Sequence, residues 1–202
     1  MKQEVQLDTF SEVHMVGIGG VGMSGLAQYL QKEGIHITGS DLEASDITDM
    51  LKEQHDITIT IGSHGDILSD TYNALIYSPA IPEYDPERLR ASELEIPQYS
   101  YPEVLGMISK KYTTIAVSGT NGKTTTTSII TELLDHANGS PNAIVGAPLQ
   151  KYGSNYVDGD SDTFVMEACE YKDSFLNISH DIAVITNIKE DHLDYFTNLD
   201  HI

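Results

Sequence analysis

The chain has 202 residues, 40% of them hydrophobic, which is enough to bury the core of one or two domains. Its formal net charge of -20 argues against nucleic acid as a partner, because phosphate backbones are bound by clusters of Lys and Arg. No apolar run approaches the roughly 20 residues of a membrane span, the polar N-terminus does not resemble a signal peptide, and Cys169 is the only cysteine. We therefore expect a cytoplasmic protein with a solvated acidic surface, no membrane partner and no disulfide bond.

Strands and helices alternate in the first half of the chain, which predicts βαβ units and a parallel sheet with right-handed crossovers. Short apolar runs predict the strands, and apolar residues at helical spacing predict the helices. The predicted strands are 13–18, 35–39, 57–61, 74–77 and 97–99, and the predicted helices are 23–30, 48–54, 86–94 and 102–109.

The same pattern starts again after residue 110. We predict strands at 113–117, 163–168 and 182–186 and a helix at 124–136. The stretch 138–159 is rich in Gly, Pro and Asn and is interpreted as a loop, apart from a candidate strand at 143–145. The fold class is therefore α/β, with a Rossmann-like parallel-sheet domain at 1–110 and part of a P-loop-type α/β domain at 111–202.

A glycine turn follows the first predicted strand. Gly17-Ile18-Gly19-Gly20-Val21-Gly22 fits G-x-G-x-x-G, and Asp41 follows about 20 residues later. Glycine allows a tight turn and lets the backbone approach a diphosphate, which then lies at the positive end of the helix dipole. Asp41 is expected to accept a hydrogen bond from a ribose hydroxyl or another polar ligand group. The motif leaves the ligand open between NAD, FAD and a UDP-sugar, and a turn that only packs helix on strand is the structural alternative.

A second glycine turn lies between the strand at 113–117 and the helix that follows it. Gly122-Lys123-Thr124 is the end of a P-loop, in which N–H groups surround phosphates, the lysine contacts β- and γ-phosphate oxygens and the hydroxyl binds Mg²⁺. The strict motif would place glycine at position 117, where this chain has Val117, so the loop is a variant with glycine at position 119. A chance Gly-Lys-Thr at a helix start is the alternative.

Two further polar side chains follow predicted strands in this half. Glu167 ends the strand at 163–168, and His192 follows the strand at 182–186. Because parallel sheets bind ligands at the carboxyl ends of their strands, both side chains could converge near the phosphates as Mg²⁺ ligands. The alternatives are a surface acid for Glu167 and a solvated or capping histidine for His192. Cys169 is interpreted as a small core or edge residue and His14 as a partly buried strand residue.

Taken together, these segments resemble the Mur ligase family. The matching stretches are 14–27, Gly39-Ser40-Asp41, Ser78-Pro79-Ala80-Ile81-Pro82, 119–127, Glu167-Ala168-Cys169-Glu170-Tyr171 and 186–196. The resemblance implies a three-domain enzyme whose domains bind a UDP-sugar, ATP and an amino acid in that order, so this chain would stop within the second. Among family members it is most similar to those that add L-alanine. Those enzymes usually have histidine at the position of Asn121, and a second serine is common at the position of Pro79.

The resemblance also implies an activity and a set of site residues. ATP would drive the joining of L-alanine to the lactyl carboxylate of UDP-N-acetylmuramate through an acyl phosphate, in peptidoglycan precursor synthesis, with Mg²⁺. The implied catalytic residues are Lys123, Glu167 and His192, and the implied metal ligands are Thr124, Glu167 and His192. ATP would contact Gly119, Thr120, Asn121, Gly122, Lys123, Thr124 and Thr125, and the UDP-sugar would contact Gly19, Gly20, Val21, Gly22, Met23, Ser24, Asp41 and Ser78.

Three other functions stay open at this point. A related ligase could add a different amino acid or a recycled peptide to the same UDP-sugar. A chain of this length could also act as a non-catalytic UDP-sugar-binding module. An NAD-dependent dehydrogenase would use the first glycine turn but would leave Gly122-Lys123-Thr124 unexplained.

Overall fold

The structure is a computed structural model that describes residues 7–62, 64–190 and 195–198. Contacts between Cα atoms divide the chain into two compact units, Met1–Val104 and Leu105–Ile202. The dividing point lies within one helix, Tyr101–Ser109. Each unit is described by itself below.

The first unit contains a five-stranded sheet in which every neighbouring pair is parallel, as predicted. The strands are β1 (Glu12–Val16), β2 (His36–Asp41), β3 (Thr58–Ile61), β4 (Ala74–Tyr77) and β5 (Gln98–Ser100). Their order in the sheet is β3-β2-β1-β4-β5, so β1 is central and pairs with β2 on one side and β4 on the other. Where the neighbours of a central strand lie on opposite sides in this way, a crevice opens at the carboxyl end of that strand.

Three helices connect these strands and a fourth follows β5, and polar caps set where two of the four begin. Ser45 caps its helix by accepting a hydrogen bond from Thr48 N, and the Thr48 hydroxyl accepts one from Ser45 N in return. Asp85 accepts hydrogen bonds from two backbone N–H groups, with Pro86 in the first helical position. The helices are α1 (Val21–Lys32), α2 (Asp46–His55), α3 (Pro86–Glu93) and α4 (Tyr101–Ser109), and Leu7–Thr9 and Gly65–Ile67 form 3₁₀ turns.

The core of this unit lies on both faces of β1. Val13 and Met15 are fully buried, as are Leu26 and Leu30 of α1. Removing a side chain of this size from water contributes about 1.5–3 kcal/mol. His14 and Val16, on the opposite face of β1 from Val13 and Met15, are also buried, so the strand is covered on both faces.

The second unit has a mixed five-stranded sheet and one long helix. The strands are β6 (Thr113–Ser118), β7 (Asn142–Leu149), β8 (Ser154–Val157), β9 (Thr163–Glu167) and β10 (Ile182–Ile185), and Tyr171–Asn177 forms a 3₁₀ segment. Their order in the sheet is β10-β6-β9-β7-β8, and only the β7–β8 pair is antiparallel. The helix α5 (Lys123–His136) comes after β6 and the glycine turn, as the sequence predicts.

The candidate strand at 143–145 is confirmed within β7, but the interpretation of the rest of 138–159 as a loop is wrong, because this stretch forms the hairpin of β7 and β8. The register of the hairpin shifts between Ile144 and Leu149, and Gly153, with a φ of 64°, lies in the turn. The residues that indicated a loop therefore occupy a strand irregularity and a tight turn. Val145 and Val157 are buried on this hairpin, so tertiary packing outweighs the local composition.

Candidate nucleotide-binding sites

A cavity of 430 Å³ opens at the carboxyl end of the sheet in the first unit. The turn after β1, the end of β2, the N-terminus of α2, the residue after β3 and the turn after β4 all contribute to its wall. The polar or glycine residues in that wall are Gly17, Gly19, Gly20, Ser40, Asp41, Glu43, Ser45, Gly62, Ser78 and Asp85. Four of the residues predicted to contact the UDP-sugar, Gly19, Gly20, Asp41 and Ser78, are thus brought together.

Asp41 holds the glycine turn in place. Its Oδ2 accepts a hydrogen bond of 2.8 Å from Gly19 N, and Gly20 N donates to Gly17 O at 3.2 Å. A Cβ on Gly19 would lie 2.8 Å from that carboxylate oxygen, so the contact requires glycine. Two of the N–H groups expected to bind the diphosphate therefore donate within the protein in this structure. The predicted contact between Asp41 and a ligand stays a prediction.

The other four residues of this predicted set do not line the cavity. Met23 and Ser24 are buried in α1, where the Ser24 hydroxyl donates to Val21 O at 2.8 Å. Gly22 faces the ring of Tyr101, which would lie 2.8 Å from an added Cβ. The helix begins at Val21 and turns Met23 and Ser24 into the core, and the contacts predicted for these residues stay predictions.

Behind the wall of this cavity lies a buried carboxylate that the sequence did not single out. Glu87 is 0% exposed, and its Oε2 lies 3.0 Å from His14 Nε2 and accepts from the Ser40 hydroxyl at 2.6 Å. Its Oε1 accepts from His64 N at 3.0 Å. Burial raises the pKa of Glu87, but the hydrogen bonds from His14, Ser40 and His64 N outweigh that effect and leave the pKa below its ordinary value.

His14 is accordingly more buried than predicted. It is 2% exposed, and its Nδ1 lies 2.8 Å from the Thr38 hydroxyl. No sequence pattern indicated this network, because Glu87 lies in the first turn of α3, where an acid is usually explained by its interaction with the helix dipole.

In the second unit, the loop between β6 and α5 has the shape of a phosphate-binding turn. Gly119 has a φ of 127° and Gly122 a φ of 84°, both in the region that favours glycine. Val117 is fully buried within β6, so the chain turns only after Ser118. This geometry explains why the first glycine stands at 119 and not at 117.

The ammonium group of Lys123 points back over this loop. Its Nζ donates to Gly119 O at 2.6 Å and to Thr120 O at 3.4 Å. It also donates to both carboxylate oxygens of Glu170, at 2.9 and 3.1 Å. The side chain of Lys123 is 16% exposed and that of Glu170 is 7% exposed, so this is a largely buried ion pair.

Glu167 and Thr124 lie side by side, as predicted from the carboxyl ends of parallel strands. The Thr124 hydroxyl donates to Glu167 Oε2 at 3.2 Å, and Gly146 N donates to Glu167 Oε1 at 2.5 Å. Carboxylate and hydroxyl oxygens are ligands that suit Mg²⁺. Across the described ranges no group of three or more His, Cys, Asp and Glu side chains is arranged so that it could hold a metal ion. His192, the third predicted ligand, lies outside the described residues.

The loop is held by three residues that follow β10. Asn121 O accepts hydrogen bonds from the Thr186 hydroxyl at 2.7 Å and from Asn187 Nδ2 at 2.8 Å. Thr120 N donates to Asn187 O at 3.0 Å, and the Thr120 hydroxyl lies 3.0 Å from Lys189 O. The sequence placed this segment at the correct sheet edge but did not predict its contact with the loop. The side chain of Asn121 itself is exposed.

The remaining predicted residues are peripheral. Thr125 is exposed in the first turn of α5. Cys169 is also exposed, between the two acids at the end of β9, so it is an edge residue and not a core residue.

Two α/β units, each with a glycine turn at the carboxyl end of its sheet, place the chain in the structural class that is typical of nucleotide-binding α/β proteins. Comparison with known families gives a finer assignment. The model of the Mur ligase family, catalytic domain, matches residues 12–113, and that of the Mur ligase middle domain matches residues 117–202. The chain therefore belongs to the Mur ligase family, which confirms the resemblance stated from the sequence.

Individual relatives agree with this assignment. The UDP-N-acetylmuramate--L-alanine ligase of Alkaliphilus metalliredigens is 44% identical over 94% of this chain and 41% of its own length. The enzyme of the same name from Caldanaerobacter subterraneus is 45% identical over 98% of this chain and 43% of its own length. The chain thus spans less than half the length of these curated relatives.

Solved structures show the same fold. The UDP-N-acetylmuramate-alanine ligase of Thermotoga maritima matches with a TM-score of 0.82 and 32% identity, over 91% of this chain and 43% of that one. A UDP-N-acetylmuramate:L-alanyl-gamma-D-glutamyl-meso-diaminopimelate ligase from Neisseria meningitides matches with a TM-score of 0.85 and 24% identity, over 95% of this chain and 65% of that one. Among the described helices, none has the length and apolar character needed to cross a membrane.

Proposed function

We propose that this chain provides the UDP-sugar site and much of the ATP site of a cytoplasmic enzyme that joins L-alanine to UDP-N-acetylmuramate. The observation that carries this proposal is the set of contacts at the second glycine turn, where Lys123 lies over the loop and Thr124 contacts Glu167. The names of the relatives that match over more than nine-tenths of the chain support the choice of substrates.

The cavity of the first unit is the proposed UDP-sugar site. It lies at the switch point of a parallel sheet, where diphosphate ligands bind beside a helix N-terminus. Gly19, Gly20, Asp41 and Ser78 line it, and its volume suits a ligand of this size. Binding of the diphosphate would compete with the bond from Gly19 N to Asp41.

The loop of the second unit is the proposed ATP site. Backbone N–H groups of residues 119–124 would surround the phosphates, and Lys123 would balance charge on the transferred phosphoryl group. Thr124 and Glu167 would hold Mg²⁺, which neutralises charge on the β- and γ-phosphates when it is bound. The fit is favourable because two hard oxygen donors already lie 3.2 Å apart. His192 is proposed as a further ligand from its place after β10.

The proposed reaction has two steps. An oxygen of the lactyl carboxylate attacks the γ-phosphorus of ATP, the bond to the β-phosphate oxygen breaks, and ADP leaves. The amine of L-alanine then attacks the acyl carbon, phosphate leaves with the electron pair of the acyl–oxygen bond, and the new amide nitrogen loses a proton. This chemistry depends mainly on positioning and charge neutralisation, which are what the two loops provide.

The alternative functions are not equally consistent with membership of the Mur ligase family. A dehydrogenase does not account for the second glycine turn, whereas a Mur ligase accounts for both. A ligase for another amino acid, or for a recycled peptide, would use the same two sites and differ in what binds the amine. A non-catalytic role would keep UDP-sugar binding without turnover.

The test removes the ammonium group at the ATP site. Lys123→Ala should weaken binding of Mg·ATP, measured by calorimetry, by at least about a hundredfold, and it should nearly abolish phosphate release in the full-length enzyme. Lys111→Ala, at an exposed lysine of the same unit, is the control and should bind ATP like the wild type. Wild-type ATP affinity and phosphate release in Lys123→Ala would refute the assignment of this loop.

A further inference from the structure

Glu170 is a buried acid in the second unit to which the proposed reaction gives no role. It lies three residues beyond Glu167, at the end of β9, and its side chain is 7% exposed. Both of its carboxylate oxygens accept hydrogen bonds from Lys123 Nζ. A carboxylate in this position loses most of its hydration, so it is tolerated only because the ammonium group compensates it.

The hydrogen bonds of Lys123 are fully used in this arrangement. An ammonium group has three N–H donors, and Nζ has three protein partners within 3.4 Å: Gly119 O, Thr120 O and the Glu170 carboxylate. Two of these partners are carbonyl oxygens of the loop itself. Of the three, Glu170 alone carries a full negative charge, as a phosphate does.

We propose that Glu170 is a counter-ion latch, which takes the place of a phosphate group on Lys123 while no nucleotide is bound. The proposal rests on the assignment of the loop as the ATP site. An incoming triphosphate must exchange the carboxylate for one of its own oxygens, and the displaced charge then opposes the bound anion. Glu170 thus lowers the affinity for ATP and favours the departure of ADP and phosphate after turnover.

The latch also keeps the empty loop in shape. With Lys123 held by Glu170, the ammonium group stays over Gly119 O and is not left as an unpaired buried charge. Glu170 is therefore a positioning residue for Lys123 and not a catalytic residue.

The test compares nucleotide affinities by calorimetry on the purified protein. Glu170→Gln keeps the shape of the side chain but removes the charge, so Mg·ATP should bind about tenfold more tightly, which corresponds to about 1.4 kcal/mol. Binding of adenosine, which has no phosphate, should not change. Glu132→Gln is the matched control, because Glu132 is an exposed acid of α5 in the same unit and its loss should leave ATP affinity unchanged.

A second variant guards against misfolding of the first. Glu170→Asp keeps the charge but shortens the side chain by one methylene. ATP should then bind about two- to threefold more tightly than in the wild type, which corresponds to about 0.4–0.7 kcal/mol. In a Lys123→Ala background, Glu170→Gln should have a smaller effect on ATP affinity than it has alone, because part of its effect acts through Lys123.

ATP binding by the Glu170 and Lys123 variants and by the wild type distinguishes failure of the latch from failure of the proposed ATP site. Unchanged or weaker ATP binding in folded Glu170→Gln and Glu170→Asp, together with loss of binding in Lys123→Ala, would overturn the latch and leave the ATP site intact. Absence of ATP binding to the wild-type protein would overturn the ATP site itself and the latch with it.

Discussion

Gly146 leaves no room for a side chain beside the proposed metal ligands. A Cβ at this position would lie 2.7 Å and 2.8 Å from the two carboxylate oxygens of Glu167, and 2.8 Å from the Thr124 hydroxyl. Its N–H also fixes Glu167 through a hydrogen bond of 2.5 Å. The residue lies in the stretch that the sequence indicates as a loop, so no local pattern pointed to it.

Gly146→Ala should therefore displace the Glu167 carboxylate and weaken binding of Mg·ATP by roughly tenfold, about 1.4 kcal/mol, measured by calorimetry. Gly34→Ala is the control. Its added methyl group meets nothing within 4 Å, but its φ of 83° makes alanine strained, so it should cost about 1–2 kcal/mol of stability with no change in ATP affinity. Wild-type Mg·ATP affinity in Gly146→Ala would show that Glu167 does not need this position.

The hydroxyl of Thr186 is a second point where one atom matters. It lies 2.7 Å from Asn121 O and 3.2 Å from Ser118 O, and so it ties the second glycine turn to the segment after β10. Thr186→Val keeps the shape of the side chain and should lower the free energy of unfolding by about 1 kcal/mol, with weaker ATP binding. Thermal melts and calorimetry on the same preparations measure both effects.

Asn121→His provides the matched control for that variant, since it changes an exposed side chain while the backbone bonds of residue 121 stay in place. ATP affinity should stay within about twofold of the wild type, that is, within about 0.4 kcal/mol. A large loss of affinity in Asn121→His, or none in Thr186→Val, would mean that the side chain at 121 matters more than the backbone contact.

Lys123, Thr124 and Glu167 illustrate how far the sequence predicts the site. A strand followed by a glycine turn and a helix fixes where Lys123 and Thr124 lie, and parallel strands bring the end of β9 to the same edge. Glu170, Asn187 and Glu87 were not predicted as contacts. Each depends on which partner lies opposite in three dimensions, and a single acid or amide gives no periodic signal of that.

Among the elements, α3 shows how a helix can carry a buried charge into a sheet. Its cap, Asp85, lies in the wall of the cavity, and Glu87 two residues later accepts from His14, Ser40 and His64 N. A carboxylate accepts on both oxygens, whereas an amide has one oxygen and one NH₂ group. An amide at position 87 would therefore turn its NH₂ group towards a group that donates to the carboxylate in this structure, either His64 N or the Ser40 hydroxyl and His14.

Glu87→Gln should accordingly lower the free energy of unfolding by about 1–3 kcal/mol in denaturant titrations near neutral pH. Glu93→Gln is the matched control on the same helix, because Glu93 forms a surface pair with Arg90 and its loss should cost about 0–1 kcal/mol. Equal losses in the two variants would contradict the structural role assigned to Glu87.

The difference in the free energy of unfolding between the wild type and Glu87→Gln should depend on pH, and the pKa of Glu87 sets its direction. The pKa of Glu87 in the folded state lies below its ordinary value, which is about 4.3 for glutamate. Its ionised form therefore adds stability that is fully present above about pH 4.3 and is lost as the pH falls through the lower folded-state pKa. The gap in stability between the wild type and Glu87→Gln should narrow on acidification, and a gap that widens would show the opposite shift.

The elements themselves were largely predictable where the apolar pattern and the end signals agree. Ala74–Tyr77 was predicted with the bounds that the structure gives, and Pro86 and Ser109 mark ends of α3 and α4 as predicted. In the hairpin of β7 and β8 only the strand at 143–145 was predicted, and the rest was missed because Gly and Pro there lie in an irregular strand and a turn. Their composition is that of a loop, and only the pairing of β7 with β9 makes them part of a sheet.

At the level of the whole molecule, the chain is a succession of two α/β units that match the catalytic and middle domains of the Mur ligase family. Each unit has its own sheet and its own glycine turn. Each turn lies between a strand and the start of the helix that follows it, α1 in the first unit and α5 in the second. The formal charge of -20 does not prevent binding of anions, because backbone N–H groups and helix N-termini do not enter that count.

The thermal stability of the purified protein in separate titrations with UDP-N-acetylmuramate and NAD is the most direct measurement. A ligand at a hundredfold excess over its Kd stabilises the native state by about 2.7 kcal/mol, which raises Tm by several degrees in a protein of this size. We predict a rise with UDP-N-acetylmuramate and none with NAD. A rise with NAD and none with the UDP-sugar would contradict the proposed function, since the first cavity would then be a dinucleotide site.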